Sequence, residues 1–153
     1  MKRLLPPLLF APLLVLSVVL GLVVPVLGPA PWPVRVLGVP VALAGLAFNL
    51  GGAGLFGRLG TNIKTFNDPG QLVTSGPFRF TRNPMYLGFT LILSGVGLLV
   101  GTLTAWLGAL AFFVAADTWY IPFEERRMQA LFGTDYDDYQ RRVPRWLRPI
   151  RSK

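Results

Sequence analysis

Arg79 and Arg82 stand three positions apart in the stretch Thr74-Ser75-Gly76-Pro77-Phe78-Arg79-Phe80-Thr81-Arg82-Asn83-Pro84-Met85-Tyr86-Leu87-Gly88, just ahead of an apolar run that lasts to Val100. A guanidinium grips a carboxylate or phosphate through two parallel N–H donors. The pair therefore reads either as an anion clamp or as charge anchoring a helix to lipid phosphates. Asn is a preferred N-cap, and Pro at the first helical position loses no hydrogen bond. Asn83-Pro84 thus predicts that a helix starts here, with its positive end and free backbone N–H groups near the arginines. Tyr86, one turn in, is either an interfacial anchor or a pocket wall.

A second group of candidates is acidic. Glu124-Glu125 follows Pro122. Acids there suit the first turn of a helix, and Glu124 is spaced to pair with Arg127. They also suit recognition of a diol, because a carboxylate accepts hydrogen bonds from two hydroxyls. Asp117 lies inside an apolar segment, where an ionisable group is costly and either serves a site or finds a partner. Arg82 and Arg126 are the partners the sequence offers; Asn49 is a weaker signal of the same kind. The 153 residues include no His and no Cys. The commonest general base, the commonest metal ligand and all thiol chemistry are therefore absent, and nothing in the sequence supports metal binding.

These residues need a scaffold, and composition names its class. Fully 52% of the chain is hydrophobic and only 14% charged, against about a quarter charged in soluble domains. The net charge of +8 does not indicate nucleic acid, because the basic residues lie in short blocks between apolar runs. The expected fold is all-α and integral to a membrane: one domain over residues 1–153, with spans near 4–27, 36–57, 85–100 and 103–121 and a cytoplasmic tail at 122–153. The first span is too long for a signal-peptide core and is expected to be retained. Basic residues precede span one, separate spans two and three and follow span four, whereas only Arg35 lies in the opposite loops. Both termini are therefore expected in the cytoplasm of what reads as a prokaryotic cell. Trp32 would anchor the outer interface and Trp119, Tyr120 and Trp146 the inner one.

Local signals add detail. Gly101-Thr102 predicts a tight turn between spans three and four. Asn67-Asp68-Pro69-Gly70 and Ser75-Gly76-Pro77 read as turns. Phe123, Met128, Leu131 and Phe132 share roughly one face of an amphipathic helix ended by Gly133, and Thr134 to Arg142 forms another short helix stopped by Pro144. Both are expected to lie on the cytoplasmic face. Gly52-x-Gly54-x-x-Gly57 fits a dinucleotide fingerprint by spelling, but it lies in a span and reads as helix packing. Gly95 and Gly97 permit close approach of a helix or a ligand.

From Leu72 to Trp146 the chain resembles the isoprenylcysteine carboxyl methyltransferase and phospholipid methyltransferase group of membrane enzymes. The resemblance rests on Leu72-Val73-Thr74-x-Gly76-Pro77-Phe78-Arg79 and Arg82-x-Pro84-Met85-Tyr86-Leu87-Gly88. It continues in Glu124-Glu125, Leu131-Phe132-Gly133, Tyr136, Tyr139 and Val143-Pro144. It implies S-adenosyl-L-methionine as methyl donor and a lipid-like or small hydrophobic acceptor. On that basis Arg79, Arg82, Asn83, Pro84, Tyr86, Gly88, Gly95, Gly97, Glu124 and Glu125 are expected at the cofactor, with Arg82, Glu125 and Asp117 as catalytic candidates. Asn83 stands where the group usually has His; its amide keeps the hydrogen bonding but cannot accept a proton near neutral pH. Two other readings remain at this point: an NADPH-dependent membrane reductase, from a distant likeness to sterol reductases, and a non-enzymatic four-helix membrane protein.

Overall fold

The computed structural model describes residues 5–58, 60 and 70–147. Lys2, Arg3, Lys64, Arg148, Arg151 and Lys153, which contribute to the expected orientation, lie outside the described residues, as does most of the turn at 67–70. Every regular element among the described residues is helical: α1 (Pro6–Val23), α2 (Trp32–Val36), α3 (Gly38–Arg58), α4 (Pro84–Val100), α5 (Leu107–Ala115), α6 (Ile121–Phe132) and α7 (Thr134–Arg142). Short 3₁₀ turns at Gly76–Arg79 and Leu103–Trp106 precede α4 and α5.

Three helical runs are long and apolar enough to cross a membrane: Pro6–Val23, Trp32–Arg58 and Leu103–Phe132. The fourth apolar helix, α4, has 17 residues, the lower limit for a span. The first span ends at Val23 rather than Leu27, because Pro25 drives Val24 out of helical geometry (φ −127°, ψ 66°). The second begins earlier than expected, at Trp32, where Pro31 and Pro33 favour a helix start.

The fourth departs most. A break was expected at Pro122, yet helix continues to Phe132. A proline in a regular helix removes one hydrogen bond and its ring meets the carbonyl four residues back. Here a wide π turn at Ala116–Tyr120 lies just before it, with Ile121 N–H bonded to Ala116 O, and the helix absorbs the proline there.

The helix α4 is the centre of the packing. Gly38, Gly45 and Gly52 are the buried residues of α3. Seven residues are nearly two turns, so all three share one face. A Cβ on Gly88 would lie 2.6 Å from Gly45 O, a Cβ on Gly95 would lie 2.6 Å from Gly38 O, and one on Gly52 would meet Met85. The pairs run in opposite order along the two helices, which are therefore antiparallel and in backbone contact. Asn49 adds a bond from Nδ2 to Met85 O (3.2 Å). Close approach through small residues is how helices pack where lipid removes the hydrophobic drive.

The other side of α4 meets α1 and α5 through Tyr86, Leu93, Phe112, Tyr120 and Ile121, flanked by Phe10 and Phe89. Tyr120 is thus a core residue stacked on Tyr86 (5.9 Å between ring centres) and not an interface anchor. Gly101, at φ 81°, closes α4 and makes the expected tight turn. Arg35 Nε then caps the freed Leu99 carbonyl at 2.7 Å.

A second cluster joins Val73, Phe78, Tyr136, Tyr139 and Val143, with Met128 and Phe132 against it. It docks α6 and α7 on the loop before α4. Gly133 ends α6 at φ 49°, as expected, but Leu131 faces out at 47% exposure, so the packed face of α6 is narrower than its spelling implied.

Candidate active site

Between the two clusters lies a cavity of about 220 Å³. Arg82, Asn83, Pro84, Met85 and Tyr86 enter from the start of α4, Glu124, Glu125 and Met128 from α6, Tyr136 and Tyr139 from α7, and Leu5, Pro7, Phe56 and Phe89 complete an apolar wall. Segments about 40 residues apart in sequence thus bring two cations, Arg82 and Arg127, and two acids, Glu124 and Glu125, to one cavity.

Arg82 Nη2 lies 3.0 Å from Glu125 Oε1, both side chains being largely buried. Its Nε and Nη1 are buried with no hydrogen-bond partner among the described residues. Glu125 is held twice more by Arg145, from Nε to Oε1 at 3.2 Å and from Nη2 to Oε2 at 2.6 Å. Tyr86, buried to 5% exposure, donates from its hydroxyl to Glu124 Oε1 at 2.8 Å. Its ring lines the cavity.

Arg145, one of the basic residues after span four, carries no site signal in the sequence. Its Nη1 also reaches Asp117 Oδ1 at 3.2 Å, and Trp146 Nε1 donates to the same oxygen at 2.9 Å. Contact with Glu125 raises the Arg145 pKa above its ordinary value. Arg145 O accepts from Thr81 Oγ1 (2.8 Å) and Asn83 Nδ2 (3.0 Å), while Arg82 N–H donates to Pro144 O (2.9 Å). Nothing local marks an arginine after Val143-Pro144 for this role; only the chain's return to the start of α4 makes it.

Several expected site residues lie elsewhere. Asp117 does not line the cavity, and its partners are Arg145 and Trp146 rather than Arg82 or Arg126. Asn83 precedes α4 as expected, but its side chain makes no cap and bonds the Arg145 carbonyl instead. Arg79 is exposed and borders a separate depression with Thr74, Tyr139 and Arg142. Gly88 and Gly95 face α3, and Gly97 faces the Trp106 ring. Their lack of side chains serves helix contact, not the cavity. Tyr136 and Tyr139 both line it, and burial raises both pKa values; at Tyr136 the Arg82 charge and a weaker hydrogen bond with Arg82 oppose the rise, while the Glu125 charge adds to it.

The family model for phospholipid methyltransferases matches residues 34–135, well over half of the chain. The chain belongs to the phospholipid methyltransferase family. This membership and the span-length helices make it an integral membrane protein of a methyltransferase family. An uncharacterized protein of Haemophilus influenzae is 38% identical over 63 residues, which are 41% of this chain and 100% of that protein. Protein-S-isoprenylcysteine O-methyltransferase B of Arabidopsis thaliana is 34% identical over 77 residues, 48% of this chain. The matched stretch spans only 38% of the Arabidopsis protein. No solved structure matches the chain.

Proposed function

We propose that the cavity binds S-adenosyl-L-methionine and that this family member methylates a lipid-like or otherwise hydrophobic acceptor. One observation carries the reading: Arg82 keeps two buried guanidinium nitrogens, Nε and Nη1, unpaired beside an ion pair with Glu125. Each unsatisfied buried donor costs about 1–3 kcal/mol, more when charged. A ligand carboxylate would remove that cost, and the donor amino acid has one. The rest of the lining fits the same molecule, with Glu124 as an acceptor for ribose hydroxyls and Met85, Phe89 and Phe56 as a wall for a flat base. Family membership favours this reading over the reductase and the non-enzymatic protein.

When bound, the donor supplies an electrophilic methyl group on a sulfonium, open to in-line displacement. The residues here hold and orient: Arg82 takes the anionic end, Glu125 keeps Arg82 in place, and the apolar wall excludes water. A carboxylate or thiolate acceptor needs no base. For an amine acceptor, Glu124 and Glu125 are the carboxylates at the cavity that would take the proton. The Arabidopsis relative is named for methylating isoprenylcysteine, and the family for phospholipids; both acceptors carry long hydrocarbon chains. On the positive-inside expectation the cavity faces the cytoplasm, where a water-soluble donor is available, while the acceptor arrives through the bilayer.

The test is incubation of purified protein with methyl-labelled donor and a total lipid extract. Label entering the organic phase supports the reading. No label, together with no binding of S-adenosylhomocysteine by calorimetry, overturns it.

A further inference from the structure

The Arg145 side chain and the Arg145 backbone work on opposite halves of the site. The side chain forks onto both oxygens of Glu125 and reaches Asp117. Its carbonyl accepts from Thr81 and Asn83, the residues on either side of Arg82, and the neighbouring Pro144 carbonyl holds the Arg82 N–H. Trp146 completes the attachment, bonded to Asp117 and packed on Phe113 at 4.9 Å between ring centres. The segment from Pro144 to Trp146 is therefore a strap that touches the loop before α4, the π turn and α6.

We propose that Arg145 is the positioning residue of this site. The inference rests on the reading of the cavity as the donor site. By sharing Glu125 with Arg82, Arg145 occupies Oε2 and part of Oε1, so that Glu125 engages Arg82 through Nη2 alone. That leaves Nε and Nη1 of Arg82 without a protein partner, donors that a ligand carboxylate takes when the side chain turns into the cavity it lines. Without the second cation, the Glu125 carboxylate is free to turn and take two Arg82 donors as a fork, the preferred geometry of such a pair. Arg82 would then have fewer donors left for an anion. Arg145 touches no ligand itself; it acts by fixing how Glu125 meets Arg82.

The experiment uses the full chain in detergent and S-adenosylhomocysteine as the probe. Affinity is measured by calorimetry well below the melting midpoint of each variant. Arg145→Ala is expected to weaken binding about tenfold or more, the scale of coupling inside one ion-pair network. Arg145→Lys is expected to weaken it as well, because one ammonium cannot replace the fork. The lysine variant keeps the charge and the backbone carbonyl, so it carries the test if the alanine variant does not fold. The double variant Arg145→Ala with Glu125→Gln should bind no more weakly than Glu125→Gln alone. A strap that only stabilises the fold predicts lower melting midpoints with unchanged affinity, and that result overturns the inference. So do losses that add in the double variant. If the wild type itself fails to bind, the donor-site reading falls and this inference with it; if only the Arg145 variants bind normally, this inference alone falls.

Discussion

Arg82 Nη2 meets Glu125 Oε1 at 3.0 Å, linking the residue two before α4 to the start of the second turn of α6. Because Arg145 also holds Glu125, Arg82→Ala leaves that acid paired and the fold intact. It should lower S-adenosylhomocysteine affinity about ten- to a hundredfold, the value of one charge-assisted hydrogen bond of ~1.5–3 kcal/mol. Calorimetry reads this directly. Wild-type affinity in the alanine variant would remove Arg82 from the site.

The contact between α3 and α4 is made of backbone, so it has no room to yield. Gly45→Ala and Gly88→Ala each place a methyl within 2.6 Å of a carbonyl on the facing helix. Each should cost about 1–3 kcal/mol, as overpacking does, and lower the melting midpoint in detergent. Gly54 is the control, since a Cβ there meets nothing within 4 Å. Equal midpoints for Gly54→Ala and Gly88→Ala would refute the packing account.

Tyr139 donates to Phe78 O at 2.7 Å in a buried setting. Tyr139→Phe leaves that carbonyl unsatisfied, at a cost of about 1–3 kcal/mol, visible as a lower melting midpoint. A pH effect accompanies it. Burial raises the pKa values of Tyr136 and Tyr139 above the ordinary value near 10. The folded state then holds protons that the unfolded chain releases, so stability is full below pH ~10 and falls as pH climbs beyond it. The alkaline fall should be shallower in Tyr139→Phe; an identical slope would show that this hydroxyl plays no part in it.

Membrane orientation is open to a clean test because the chain has no Cys. Thr134→Cys and Leu103→Cys put single thiols on exposed residues at opposite ends of the helical run Leu103–Phe132. In intact cells an impermeant maleimide should label position 103 and spare position 134 until the membrane is opened. The reverse pattern would put the cavity on the far side, away from the cytoplasmic donor.

Hydropathy and punctuation carried much of the fold. Uncharged runs of membrane length, Pro84 at the start of α4, Gly101 in its turn and Gly133 at the end of α6 act within one or two helical turns of themselves, and such local effects are readable from spelling. Glycines at 38 and 45, facing those at 95 and 88, with Gly52 against Met85, were open to the same kind of reading as a seven-residue stripe. The motif residues Arg82 and Glu125 were likewise recognisable by type and order. Their pairing, the return of Arg145 to both, the capture of Asp117 by Arg145 and Trp146, and the turning of Gly88, Gly95 and Gly97 toward neighbouring helices were not. Each depends on which face of a helix meets which partner, and a π turn or a change of helix end rotates that face without altering composition. Charges find partners through space over tens of residues, so only the packed chain selects among the arginines that spelling leaves equivalent.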